Sequence, residues 1–227
     1  MFSDRAALIK VARWDPDKRW NMAVDAVAEL KRLGLRPLFL ARGGIEDHKQ
    51  EVTTRAAQHG LKIAHVKWNG PETQALIQAI RPSIEADVII LESYLSEPQR
   101  RALFYAGDAV LANSGIEPFG LVGLETMAVS GIAFIGSTGE DYATNGYDTI
   151  SLQTNDPREI VHHLKLIKSS PGYGKKLRLN ARNSAKRYTW EAIIDRLLLP
   201  YLIEMNVDVP LSELVESKLK QLPHPLL

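Results

Sequence analysis

The sequence predicts an α/β fold in which a parallel sheet carries helices on both faces. Two observations support this prediction. Short apolar runs alternate with amphipathic helical stretches between residues 6 and 152, and Gly, Pro or Asp residues separate most of them. After Asp156-Pro157 only helical patterns follow, so helices complete the chain behind the sheet.

The predicted strands are short and apolar, as expected for strands that are buried on both faces. They comprise residues 6–12, 37–41, 61–68, 87–91, 109–112, 132–135 and 149–152. The predicted helices comprise residues 18–33, 46–59, 72–80, 98–106, a run from about 119 to 131, 158–168 and 175–188. A last helix begins after Thr189 as its N-cap, and Pro200 is expected to kink it or to end its first part.

Composition narrows the classes of function. The 227 residues carry a net charge of +1 and 45% hydrophobic residues, typical of a globular domain, with no electrostatic case for a nucleic-acid partner. The absence of cysteine excludes disulfides and thiolate sites. We find no secretory signal and no apolar run that could span a bilayer. We therefore expect a cytoplasmic protein, with a peripheral position at a membrane surface as the alternative.

Several polar residues directly follow predicted strands. They are Arg13, Gly43, Tyr94, Ser114 and Glu117. Because ligands of parallel sheets bind outside the carboxyl ends of the strands, we expect these residues to share one ligand-binding edge.

The stretch Ser114–Gly131 carries the strongest chemical signal. If a helix begins near Phe119, Glu117 lies just ahead of its N-terminus and Glu125 about one and a half turns inside it. Free backbone N–H groups at that end would hold phosphate, and the two carboxylates would accept hydrogen bonds from sugar hydroxyls. The simpler interpretation is that the helix dipole alone favours a Glu in the first turn.

The whole string S-x-x-EPFGL-x-x-LE-x-MA-x-x-G resembles the donor-binding motif of the family-four retaining glycosyltransferases, which have the GT-B fold. The matching residues are Glu117, Pro118, Phe119, Gly120, Leu121, Leu124, Glu125, Met127 and Ala128. Thr126 replaces the usual alanine, and the proline expected in the turn after Ala128 is missing.

A second element is A-R-WDPD-K-R, which resembles the family pattern G-R-x(4)-K-G. It keeps the spacing between Arg13 and Lys18 but loses both glycines, at Ala12 and Arg19. In the family these two cations bind the diphosphate of a nucleotide sugar. Taken alone, the pair is more typical of a solvated surface than of a ligand site.

Further similar segments follow in family order, and the resemblance covers about residues 6–203. They are LARGG with Gly43 and Gly44, YAGDAVLANS with Asn113 in place of proline, the loop from Gly139-Glu140 to Asn145-Gly146, and YTWEAII. The resemblance implies a Rossmann-like domain, the C-terminal half of a GT-B fold. Residues 1–205 would form this donor-binding domain.

The resemblance also implies roles. Arg13 and Lys18 would hold the diphosphate, helped by backbone N–H groups at Phe119, Gly120, Leu121 and Val122. Glu125 would contact the ribose, Glu117 the transferred sugar, and Tyr94 the base. Retention in the family is ascribed to front-face departure of the nucleoside diphosphate, with no protein nucleophile, metal or cofactor, so Glu117, Arg13 and Lys18 are the candidate catalytic residues.

A GT-B enzyme also needs an N-terminal, acceptor-binding domain. We therefore expect this chain alone to transfer no sugar, and residues 206–227 to pack on that absent domain or to mediate self-association. Two alternatives stay open: a non-catalytic nucleotide-sugar-binding subunit and a nucleotide-sugar epimerase of GT-B fold. The six histidines show no metal-ligand spacing. A basic face on helix 175–188 indicates a solvated surface or, alternatively, a contact with acidic lipid. Its residues are Lys175, Lys176, Arg178, Arg182, Lys186 and Arg187.

Overall fold

The structure, a computed structural model, describes residues 5–139 and 141–204. Backbone contacts divide the chain into two compact units, Met1–Lys186 and Arg187–Leu227. Glu140, the domain boundary predicted after residue 205 and the tail behind it lie outside the described residues. What the sequence predicts for them stays a prediction.

The first unit is built on a parallel sheet of seven strands. The strands are β1 Ala6–Val11, β2 Pro37–Arg42, β3 Ile63–Val66, β4 Val88–Leu91, β5 Ala109–Ala112, β6 Ala133–Ile135 and β7 Ile150–Ser151. Their spatial order is β3-β4-β2-β1-β5-β6-β7. The predicted parallel α/β fold is confirmed, and all seven predicted strands form within it.

Helices cover both faces of the sheet. They are α1 Trp20–Arg32, α2 His48–Gln58, α3 Thr73–Ile80, α4 Glu97–Ala106, α5 Leu121–Ala128, α6 Pro157–Ser169 and α7 Pro171–Ala185. Successive residues of β1 enter two different hydrophobic clusters: Leu8 packs in one with α1 and α6, and Ile9 in the other with α3 and α4. Alternation along a buried strand thus fills one core on each face, which explains why β1 is apolar at every position except Lys10.

The basic face predicted on α7 is solvated at most of its positions, but Arg178 is an exception. Its guanidinium donates hydrogen bonds to the carbonyl oxygens of Tyr105 (2.9 Å), Gly107 (2.7 Å) and Ser130 (2.9 Å). These carbonyls lie at the C-terminal ends of α4 and α5, where backbone acceptors lack helical partners. The prediction of a solvated side chain at Arg178 is therefore wrong. The turn that lacks the family's proline is closed instead by Ser130 in the left-handed region (φ 59°) and by this arginine.

In the second unit, Thr189 caps a helix as predicted, because its Oγ1 accepts the N–H of Ala192 at 3.2 Å. The helix continues as α8 Trp190–Ile193, a π-helical turn Ile194–Leu198 and α9 Leu199–Glu204. Pro200 therefore does not end it. A π-helical turn directly before a proline widens the helix where the ring would meet a carbonyl and where an N–H is missing.

The contacts of Arg178 predict an effect on the free energy of unfolding. We expect Arg178→Met to lower the free energy of unfolding by about 2–4 kcal/mol, since three helix-end carbonyls, of which those of Gly107 and Ser130 are partly buried, lose a charged donor. Arg182→Met on the same helix is the matched control, because Arg182 is exposed, and it should change stability by less than about 0.5 kcal/mol. Denaturant unfolding measures both, and equal effects would contradict the capping role.

Candidate functional site

The candidate site lies at the switch point of the sheet, where the order of the strands reverses. From β1 the chain moves to β2 on one side, whereas β5 pairs with β1 on the other side. The carboxyl ends of β1 and β5 therefore border a crevice of the kind in which α/β sheets bind ligands. The loop between β1 and α1 and the loop between β5 and α5 meet there.

Asp17 joins the two loops. Its backbone carbonyl accepts the N–H of Gly115 at 2.8 Å, and its Oδ1 accepts the N–H of Ile116 at 3.1 Å. A Cβ on Gly115 would lie 2.7 Å from that Oδ1, so only glycine allows this approach. Residue pattern alone does not reveal this contact, although the Asp-Pro-Asp turn is its visible signal in the sequence.

Lys18 and Glu117 are brought together across the crevice. Nζ of Lys18 lies 2.7 Å from Oε2 of Glu117, and their side chains are 16% and 25% exposed. Partial burial alone would raise the pKa of Glu117. Hydrogen bonds from Lys18 and Ser114, with the charges of Lys18 and Arg13, outweigh it and hold this pKa below its ordinary value of 4.5. Two predicted site residues thus form one ion pair at the switch point.

Arg13 lies on the same loop with a side chain that is 69% exposed, 3.9 Å from a carboxylate oxygen of Asp15. Its charge adds, after the larger effects of Lys18 and Ser114, to the lowering of the pKa of Glu117. The guanidinium is therefore accessible at the crevice.

Helix α5 begins at Leu121, two residues later than predicted. Contacts with the loop between β6 and β7 hold the preceding segment out of the helix. The N–H of Gly120 donates to the carbonyl of Gly139 at 3.0 Å, and the hydroxyl of Tyr142 donates to the carbonyl of Gly120 at 2.5 Å. The ring of Phe119 packs on Tyr142 with centroids 5.4 Å apart. Glu125 consequently lies little more than one turn into the helix.

Half of the predicted backbone N–H donors are already engaged. Gly120 donates to Gly139, and Leu121 donates to the carbonyl of Phe119 at 3.1 Å. Among residues 5–139 and 141–204, the N–H groups of Phe119 and Val122 have no hydrogen-bond acceptor. The two engaged groups shape the turn, whereas the other two remain able to donate to a ligand.

Glu125 has a partner that the sequence did not reveal. Its Oε1 lies 3.2 Å from a guanidinium nitrogen of Arg100 on α4. Burial raises the pKa of Glu125, and the nearby charge of Glu97 adds to this effect while Arg100 opposes it. Glu125, the residue predicted to contact the ribose, is thus held between α5 and α4.

Gly43 and Gly44 follow β2 at the same edge, where each makes room for a side chain. A Cβ on Gly43 would overlap the indole of the buried Trp14, and one on Gly44 would lie 2.6 Å from a carboxylate oxygen of Glu46. Glu46 in turn accepts the N–H of Trp14 at 3.0 Å. The burial of Trp14 shows that its indole packs in the core. Tyr94 follows β4 and is 80% exposed.

Arg19, where the family pattern has glycine, keeps the conformation that favours glycine. Its φ is 52° and its ψ is 42°, in the left-handed region. One terminal guanidinium nitrogen is buried, with no hydrogen-bond partner in the described part of the chain. Arg19 borders an open cavity of about 460 Å³ that Asp17 and Gly115 also line. A strained backbone and an unpaired donor thus occur together beside the crevice.

The parallel sheet and the crevice at its switch point define the class of Rossmann-like, ligand-binding α/β domains. The chain belongs to the family described as glycosyl transferases group 1, whose sequence pattern matches residues 2–188. A comparison with curated proteins finds no match.

Solved structures of glycosyltransferases share the fold. Sucrose-phosphate synthase from Thermosynechococcus elongatus is 18% identical with a TM-score of 0.60, and the match covers 92% of this chain and 47% of that one. Anabaena HepE in complex with UDP and glucose is 17% identical with a TM-score of 0.63, covering 88% of this chain and 48% of that one. This chain thus spans about half the length of both.

A third structure is a C-terminal domain of a glycosyl transferase group 1 family protein from Francisella tularensis. It is 18% identical with a TM-score of 0.57, and the match covers 81% of this chain and 86% of that one. The resemblance to the C-terminal domain of a GT-B glycosyltransferase is confirmed. None of the helices within the described ranges is long and apolar enough to cross a membrane.

The ion pair between Lys18 and Glu117 predicts a pH dependence. Because the folded state lowers the pKa of Glu117, its carboxylate contributes stability above the ordinary value of 4.5, and this contribution is lost as the pH falls through the lowered pKa. We expect Glu117→Gln to cost about 1 kcal/mol at pH 7 and progressively less on acidification below pH 4.5. Denaturant unfolding of both proteins from pH 7 downward measures the difference, and a difference independent of pH would contradict the pairing.

The left-handed backbone at Arg19 predicts a difference between two substitutions. Both Arg19→Gly and Arg19→Ala remove the guanidinium, but only glycine relieves the backbone strain. We expect the glycine variant to be more stable than the alanine variant by about 0.5–1 kcal/mol. The midpoints of denaturant unfolding measure this difference. Equal stability would show that residue 19 is not held in the left-handed region.

Proposed function

We propose that this chain binds a nucleotide-diphosphate sugar, as the donor half of a retaining glycosyltransferase. The observation that supports this most directly is the pair formed by Lys18 and Glu117 at the switch point, 2.7 Å apart. A cation and a carboxylate held together in such a crevice match a ligand with both phosphates and sugar hydroxyls. Membership of the glycosyl transferases group 1 family supports the same chemistry.

The diphosphate would lie between Lys18, Arg13 and the start of α5. Arg13 offers an exposed guanidinium, whose planar fork suits two phosphate oxygens, and Lys18 offers a compact point charge. The N–H groups of Phe119 and Val122 would add neutral donors at the positive end of the helix dipole. Together these groups would stabilise the charge that develops on the departing nucleoside diphosphate.

Binding would rearrange the ion pair. A phosphate oxygen that accepts from Lys18 competes with Glu117 for the ammonium, which frees the carboxylate to accept hydrogen bonds from the transferred sugar. Glu125 would accept from the ribose hydroxyls, within the reach that its pairing with Arg100 allows. Tyr94, which is 80% exposed, is the candidate contact for the base, on the loop after β4. Gly43 and Gly44 would let the loop after β2 approach the same ligand.

The transfer itself would need more than this chain. HepE was solved with UDP and glucose, and this chain matches 48% of its length. We propose that an N-terminal domain, on the same or a separate polypeptide, holds the acceptor opposite the crevice. The nucleoside diphosphate would leave on the face that the acceptor attacks, which retains the configuration without a protein nucleophile.

Calorimetric titration of the purified chain with UDP-glucose, GDP-mannose and ADP-glucose tests this function. We expect one of the three to bind, and an Arg13→Ala, Lys18→Ala double variant to bind it at least about 100-fold more weakly, because each lost charge-assisted contact contributes 1.5–3 kcal/mol.

An Arg32→Ala, Lys62→Ala double variant is the charge-matched control, since both residues are exposed and far from the crevice along the sheet. It should bind like the unaltered chain. If no nucleotide sugar binds, or if both double variants bind with full affinity, the proposed donor site is wrong.

A further inference from the structure

A lysine is buried directly beneath the crevice. Lys10, on the central strand β1, is 1% exposed. Its Nζ donates to the carbonyl of Leu111 at 3.0 Å and to Oδ1 of Asn113 at 2.7 Å, both at the end of β5. The ammonium also lies 5.4 Å from the ring centroid of Trp20. Buried lysine is rare unless it is paired with a carboxylate, and here all three partners are neutral.

The charged groups that act on Lys10 come from the adjoining loop, and they are cations. Lys18 and Arg19 repel an ammonium at this position. Ala41, the residue opposite Lys10 on β2, is uncharged, and so are the hydrogen-bond partners of Lys10, Leu111 in β5 and Asn113 directly after it. Burial first, and then these two cations, lower the pKa of Lys10 to about 7. Near neutral pH its charge is therefore finely balanced between hydrogen bonds that favour the ammonium and desolvation that opposes it.

A hydrogen bond also connects Lys10 to the segment that forms the site. Asn113 is fully buried and directly precedes Ser114, which hydrogen-bonds Glu117, and Gly115, which donates to Asp17. The amide nitrogen of Asn113 faces Sδ of Met22 on α1 at 3.5 Å. The contact between Lys10 and Asn113 thus fixes the point at which the chain leaves β5 and enters the crevice. The family motif has proline at position 113, so it does not require this pair of Lys10 and Asn113.

We infer that Lys10 is a positioning residue whose charge is coupled to occupancy of the crevice, so that binding of a diphosphate at Lys18 is accompanied by protonation of Lys10. This inference rests on the proposed function. A diphosphate placed on Lys18 adds negative charge near the buried amine and cancels the repulsion from Lys18 and Arg19. The ammonium form, with its hydrogen bonds to Leu111 and Asn113, is then favoured, and it tightens the end of β5 while the ligand is bound.

Binding of the diphosphate and protonation of Lys10 favour each other. A ligand that raises the proton affinity of Lys10 takes up protons on binding, and by reciprocity it binds more tightly when Lys10 is already protonated. Since the pKa of the free protein is about 7, affinity should fall as the pH rises above neutrality, by at most about tenfold per pH unit.

The test is calorimetric titration with UDP-glucose, GDP-mannose and ADP-glucose at pH 7.5 in three buffers of different ionisation enthalpy. Each diphosphate is esterified at both ends and has no group of its own that titrates near neutrality. The slope of the observed enthalpy against the buffer's ionisation enthalpy counts the protons taken up. We expect about half a proton for each ligand bound by the unaltered chain.

Two variants assign the proton. Lys10→Gln keeps an N–H donor toward β5 but cannot titrate, and Asn113→Asp supplies a carboxylate that keeps the amine charged with or without ligand. Both should bind with a slope near zero. Lys31→Gln is the control: it removes an amine that pairs with Asp87 at 2.8 Å, ahead of β4 at the opposite end of the sheet, and it should leave the slope unchanged.

The outcomes separate the two claims. Binding without proton uptake by the unaltered chain overturns the role of Lys10 and leaves the proposed function intact, and so does an unchanged slope in Lys10→Gln. The unaltered chain decides the first point even if a variant fails to fold. If none of the three ligands binds, the proposed function fails and the inference fails with it.

Discussion

The contact between Asp17 and the Gly115–Ile116 backbone is the constraint on which the site depends. Two loops that are nearly 100 residues apart in sequence meet through two hydrogen bonds of 2.8 and 3.1 Å. That contact brings the loop of Lys18 beside the loop of Glu117, while Gly139 and Tyr142 define where α5 begins. The absence of a side chain at Gly115 makes the contact sterically feasible. Backbone geometry thus determines where the charged groups of the site lie.

The sheet could be predicted from sequence because burial on both faces leaves an unmistakable apolar pattern in β1, β2 and β4. The shared edge followed from the rule that parallel strands point the same way. The start of α5 could not be predicted, because Pro118 and Gly120 suit a helix entry locally and are overruled by Gly139 and Tyr142 from a later loop. Arg178 and Arg100 were missed for the same reason: their partners are set by tertiary packing, and a basic residue on a helix looks the same whether it is solvated or capping.

The two glycines lost from the family pattern mark different physical situations. Ala12 follows β1 in ordinary backbone, so a methyl group costs little there. Arg19 keeps the left-handed conformation that glycine would adopt freely. The turn between the short helical turn Pro16–Lys18 and α1 therefore holds residue 19 in this conformation, although a side chain makes the conformation strained. This places a third cation beside Lys18 and contributes to the repulsion that acts on the buried amine of Lys10.

The crevice is not simply a positive surface, which is consistent with a net charge of only +1 for the whole chain. Arg13 lies beside Asp15, and Lys18 lies beside both Asp17 and Glu117. An anion must therefore exchange existing pairs rather than fill an empty positive pocket, and part of its Coulomb attraction is offset by the carboxylate that it displaces. For a nucleotide sugar, that displaced carboxylate gains new donors in the sugar hydroxyls. The ion pair thereby couples recognition of the phosphate to recognition of the sugar, which neither residue could do alone.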